Sequence, residues 1–254
     1  MRLQTVQYTL AWAALVLLAV LAWWFLMVSA ATMASMRGAG PLLTMAEIMM
    51  TPGRALPYLA TAAAMWVTMM IAMMTPAVLP MLQVFRGLER VPTSPLNALC
   101  FAAGYLACWS AFALVASVVQ WWLHGHGLLG GAVLATSRTA AAAILLAAGL
   151  WQLTPLKSAC LAHCRGPLGF FMAHWRAGPG GAFVMGLQHG LFCLGCCWLL
   201  MVLMFAGGAM SVPTMAAISA LILAERVLPA GPWVARIPAL ALIVLGCALA
   251  AVAG

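Results

Sequence analysis

The segment His189-Gly190-Leu191-Phe192-Cys193-Leu194-Gly195-Cys196-Cys197-Trp198 places one imidazole and three thiols close together. On an α-helix, at about 100° per residue, Cys193 lies roughly 40° around from His189 and Cys197 roughly 80°, with Cys196 about 20° the other way. All four share one sector, and Met204 falls inside it. Thiolate and imidazole are the ligands of Cu(I) and Zn(II). Neighbours on one helix face diverge outward, so a second element must complete any metal site. The plainer reading is that cysteine packs as a small apolar residue; three within five positions, one turn after a histidine, favour chemistry. Cys193 and Cys196 also form a C-x-x-C pair suited to thiol–disulfide exchange, with Cys197 spare. A c-type haem attachment requires histidine directly after the second cysteine, where Cys197 stands instead.

A row of thioethers is the second feature. Met65, Met69 and Met73 are four apart and stack on one helix face, with Met70 and Met74 in a parallel row. Thioethers are soft, neutral ligands that favour Cu(I), although methionine also fills irregular apolar gaps and packs against rings such as Trp66. Pro76 and Pro80 predict a kink or an end to this helix, with freed backbone groups for neighbours to satisfy. A third group, Cys160, His163 and Cys164, has helical spacing that puts both thiols on one face. Zinc-ribbon cysteines are more often two residues apart, and no second pair follows, so a plain interfacial helix competes. His124 and His126 form a weaker pair in a connection, and Glu225 beside Arg226 reads as a salt-bridged boundary. No P-loop, dinucleotide fingerprint or catalytic triad occurs, and three acidic residues in all disfavour carboxylate chemistry.

The elements that position these groups are apolar helices. Hydrophobic residues make up 67% of the 254 positions and charged residues 6%, where a soluble domain carries roughly 25% charged. The expected fold class is therefore all-α: a polytopic transmembrane bundle forming one integral membrane domain over 1–254. About seven spans are expected, at 8–28, 58–82, 96–122, 137–154, 184–206, 212–228 and 235–253, the sixth being the shortest. The first is too long for a signal-peptide core and reads as a retained span. Met45–Met50 predicts a short interfacial helix outside the core, and Gly186 and Gly190 predict close approach by another helix. With the N-terminus inside, Arg2, Arg86, Arg90, Lys157, Arg165, Arg176, Arg226 and Arg236 lie on the inner side. Arg37, Arg54 and Arg138 lie outside, which places the C-terminus outside. The net charge of +8 meets lipid headgroups rather than nucleic acid, for which no basic and aromatic run exists.

Three stretches together resemble a bacterial family described as predicted metal-binding integral membrane proteins, a domain of unknown function. They are Met65–Pro76, Gln152-Leu153-Thr154-Pro155-Leu156-Lys157 through Cys164-Arg165, and Gly190–Met201 with its three cysteines. The resemblance implies metal binding and a bacterial inner-membrane location, with transport or assembly suggested. From the residue types, the leading expectation is a Cu(I) site made by His189, Cys193, Cys196 and Cys197 with Met69 and Met73 as thioether partners. Cys160, His163 and Cys164 would be a cytoplasmic entry or exit station. Copper is the expected ion, with zinc as the alternative, and an enzymatic role is disfavoured. Expected partners are the bilayer, the ion, and a metallochaperone or other membrane subunits. The competing functions are transmembrane thiol–disulfide electron transfer through Cys193 and Cys196, with Cys160 and Cys164 as relay, and a structural subunit of a membrane complex.

Overall fold

The structure, a computed structural model, describes residues 2–35, 40–88, 95–131, 133–228 and 233–253. Arg37 and Arg90, both used in the orientation count, lie outside them. The described residues are almost entirely helical, and the elements follow the hydrophobic runs. They are α1 (Arg2–Ser35), α2 (Pro41–Met50), α3 (Ala55–Leu88), α4 (Pro95–Gly125), α5 (Arg138–Gln152), α6 (Pro155–Arg165), α7 (Pro167–His174), α8 (Gly178–Gly207), α9 (Val212–Val227) and α10 (Trp233–Ala253). One antiparallel ribbon, β1 (Leu129–Gly130) with β2 (Ala135–Thr136), links α4 to α5.

Five of the seven predicted segments fall within a helix and the other two, 137–154 and 212–228, overrun α5 and α9 by one or two residues, but the helices are not equivalent. Five, in α1, α3, α4, α8 and α10, are long and apolar enough to cross a membrane, which fits a membrane protein. Leu17, Val20 and Trp24 on α1 and Leu240 and Val244 on α10 are exposed, an outer wall suited to hydrocarbon. The segment predicted at 137–154 is only the 15-residue α5, which meets α6 at a 65° bend; the two together would make a sixth span. The sequence at the bend explains it. Pro155 disfavours helical backbone at Thr154, whose hydroxyl instead caps α6 by accepting from the Lys157 amide at 3.2 Å. The segment at 212–228 is the 16-residue α9, which at 1.5 Å per residue falls short of a core of about 30 Å.

Two local expectations are revised. α3 does not end at Pro76 or Pro80 but continues to Leu88. Pro76 has no N–H for the Ala72 carbonyl, and the Trp23 indole of α1 donates to that oxygen at 3.1 Å. α2 is a short helix as expected, yet Ala46 and Met49 are buried, so it packs into the core.

α4 lies against both α3 and α8. Its approach to α8 depends on the absence of side chains. A Cβ at Gly186 would lie 2.0 Å from the Phe101 carbonyl oxygen, and one at Gly104 would lie 2.1 Å from that of Phe183. Gly190 likewise faces Cys108, 2.7 Å from its Cβ. The close approach expected at Gly186 and Gly190 is thus made by α4. Gly186→Val should separate the two helices and cost about 1–3 kcal/mol or more, read as a lower melting temperature in detergent. A variant melting with the wild type would contradict this packing.

Candidate metal centre

Cys193, Cys196 and Cys197 all face inward from the middle of α8 and are essentially inaccessible. The helical geometry that put them on one sector also sets their hydrogen bonds. Cys196 Sγ and Cys197 Sγ both donate back to the Cys193 carbonyl, at 3.1 and 2.9 Å, and Cys197 Sγ lies 4.0 Å from Cys193 Sγ. Cys193 is the hub. Its sulfur is 3.1 Å from the Tyr105 hydroxyl of α4 and accepts from an Arg226 guanidinium nitrogen of α9.

α6 supplies the second element that one helix could not. Folded back at the bend, it sets Cys160 against α8, its sulfur 2.8 Å from where a Cβ would stand on Gly195. The Cys164 thiol lies beside those of Cys193 and Cys196. The residues expected to form a separate station, Cys160, His163 and Cys164, are therefore contiguous with the α8 cysteines. Cys108 of α4, against Gly190, brings a further thiol to the edge of the group. All eight cysteines of the chain are free thiols.

His189 sits one turn before Cys193 and is 1% exposed. Its ring stacks on Tyr105 at 5.5 Å between centroids, with Phe170 edge-on at 5.4 Å. Neither ring nitrogen has a hydrogen-bond partner among the described residues. A buried polar group left unsatisfied costs about 1–3 kcal/mol, and an imidazole has at least one lone pair to offer an ion. His163 differs: its ring lies parallel to Phe192 at 4.1 Å, and Nδ1 donates to the Ala159 carbonyl at 3.0 Å. A carbonyl can only accept, so Nδ1 carries a proton, which in the neutral tautomer leaves the lone pair on Nε2. His174 of α7 repeats this with the Phe170 carbonyl, its ring 6.5 Å from that of His163.

Met69 and Met73 are buried on α3. Tied to the thiol group through Tyr105 is Met74 of the parallel row, whose sulfur accepts from the Tyr105 hydroxyl at 3.7 Å. Tyr105 thus links α3, α4 and α8 at one level. Among the described residues, no three His, Cys or Glu side chains are grouped so that they could hold a metal ion as they stand. The thiol hydrogen bonds explain this in part: Cys196 and Cys197 are turned to their own helix and must rotate to reach an ion.

Two charged groups lie next to this cluster, and their pairing differs from the expected boundary. Glu225 does not pair with Arg226. It accepts from Lys157 Nζ at 2.7 and 2.8 Å and from Gln152 Nε2 at 2.8 Å, with both charged side chains buried. Lys157, counted above among inner-surface charges, is thus an interior residue. Arg226 points the other way, donating to Cys193 and to the Ala77 carbonyl at 3.1 Å. The sequence held a signal for this, because consecutive residues on a helix point about 100° apart and cannot serve as each other's partners. Tyr105 and Cys108 gave none, since their role appears only once α4 is packed on α8.

The sequence model of a family described as PpoB2, copper chaperone, matches residues 63–249. The chain belongs to this family. The matched region contains the α3 methionines, the α6 group and the α8 cluster, and the family description points to a copper-related function. It is consistent with the metal-related domain of unknown function suggested by the sequence motifs, without identifying that family specifically. Neither the curated proteins nor the solved structures include a match.

Proposed function

We propose that this copper-chaperone family member is an integral membrane protein that binds Cu(I) within its helical core and passes it across the bilayer or to a metalloprotein under assembly. The observation that carries this reading is His189, fully buried with both ring nitrogens unpartnered among the described residues, beside a group of free thiols. The donor set suits the ion: two thiolates drawn from the sulfurs of Cys193, Cys196 and Cys164, the His189 imidazole, and Cys197 and Cys160 alongside. The α3 thioethers Met69, Met73 and Met74 provide soft, neutral positions that lead an uncharged path to the cluster. His163 stands at the outer edge of the group as an exchange ligand. In the bilayer, α5 and α9 would act as two short spans beside the five long ones, with the N-terminus inside as the basic residues indicate. Thiol–disulfide exchange, the other chemistry open to Cys193 and Cys196, uses neither the orphaned imidazole nor the thioethers.

The test is His189→Phe, which keeps a ring between Tyr105 and Phe170 and removes both nitrogens. Because those nitrogens make no hydrogen bonds to the described residues, the variant should melt at or above the wild-type temperature. Its Cu(I) affinity, measured by competition with a chromophoric Cu(I) chelator, should fall at least about tenfold. Unchanged affinity in the folded variant would remove His189 from the site.

A further inference from the structure

Arg226 is a permanent cation in the interior, and no carboxylate among the described residues pairs with it. Of the chain's three acidic residues, Glu89 lies outside the described residues. Glu225 is committed to Lys157 and Gln152, and Glu47 is exposed on α2. Among the described residues, the partners of Arg226 are a backbone carbonyl and the Cys193 sulfur, and its Nε has none. An unpaired charge in low-dielectric surroundings is costly, whereas one paired and hydrogen-bonded is tolerated. Among the described residues, the ionisable group in direct contact with the guanidinium is the Cys193 sulfur, which can supply the missing negative charge.

Building on the Cu(I) reading, we infer that Arg226 is the built-in countercharge of the metal–thiolate complex and makes the site select monovalent soft ions. The charge balance is direct. Two thiolates around a monovalent ion carry one net negative charge, which the guanidinium cancels. Two thiolates around a divalent ion are already neutral, and the guanidinium is left unbalanced. A divalent ion reaches balance only with a third ionised thiol, which adds one more buried charge. Arg226 touches the ligand Cys193 and would act on the ion through it, as a specificity-determining positioning residue.

The experiment compares Ag(I) and Cd(II), both thiophilic but differing in charge, by competition titration of the full-length protein in detergent. Arg226→Gln keeps N–H donors without charge, and Arg226→Lys keeps charge without the planar fork. The wild type should prefer Ag(I) over Cd(II), Arg226→Gln should shrink that preference at least about tenfold, and Arg226→Lys should retain most of it. A folded Arg226→Gln protein with the wild-type preference overturns the inference. Should Arg226→Gln not fold, Cd(II) bound by the wild type as tightly as Ag(I) overturns it equally. A wild type that takes up neither ion sinks the metal-site reading itself, a result distinct from uptake unaltered by Arg226.

Discussion

Changing Cys193, Cys196 and Cys197 together to serine should abolish Cu(I) retention while leaving the helical fold in place. Serine keeps the hydroxyl donors that can replace the Cys196 and Cys197 bonds to the Cys193 carbonyl. It removes the soft sulfur that Cu(I) prefers, and a hard hydroxyl does not replace it. Cys164 and Cys160 remain, but from one short helix they cannot close a shell alone. Copper content per protein, measured after loading under reducing conditions and removal of loosely bound ion, reads the result. A triple variant that holds as much copper as the wild type would mean that the α8 thiols are packing residues. The single change Cys193→Ser should cause most of the loss, because Cys193 meets Tyr105, Arg226 and Cys197 at once.

The second large effect concerns stability. Lys157→Met should destabilise the protein by about 3–5 kcal/mol, because it strands the Glu225 carboxylate in the interior with only Gln152 as partner. For a chain of this size the melting temperature should fall by roughly 10 °C. The double change Lys157→Met with Glu225→Met should recover most of that loss, since replacing a buried pair by apolar residues is often neutral or stabilising. The recovery separates a buried charge penalty from simple loss of packing at α6. A Lys157→Met protein that melts like the wild type would show that the pair is not buried as described. The pair also locks α6 to α9, and with it the position of Cys160 and Cys164 against α8. The single variant should therefore weaken copper binding as well, and the double variant should restore it in part.

The parts legible in the sequence are those that depend on local pattern. Seven hydrophobic segments became helices because burial in either core or bilayer requires that backbone polar groups bond internally. The sector shared by His189, Cys193, Cys196 and Cys197 follows from helical pitch alone, and inward burial bears it out. Gly186 and Gly190 announced a close neighbour, and α4 fills that place. The need of the Ala72 carbonyl for a donor could be read from Pro76, although nothing local named Trp23 as that donor.

What the sequence hid depends on contacts between distant segments. Tyr105 and Met74 are joined to Cys193 only through helix packing, so the sequence pointed to Met69 and Met73 and not to Met74. The bend at Thr154-Pro155 was visible as a helix boundary. Its consequence, that α6 folds back along α8 rather than lying apart as an interfacial helix, was not. Glu225 beside Arg226 looked like a pair because sequence neighbours invite that reading. The helix sends them to opposite tasks, one to Lys157 and one to Cys193.

The central claim is that buried sulfur holds copper in this protein, and X-ray absorption at the copper K-edge of the Cu(I)-loaded wild type tests it most directly. The account predicts a Cu(I) edge with a first shell dominated by sulfur, together with a nitrogen contribution that disappears in His189→Phe. A first shell of light atoms alone, or failure of the reduced protein to retain copper, would contradict it.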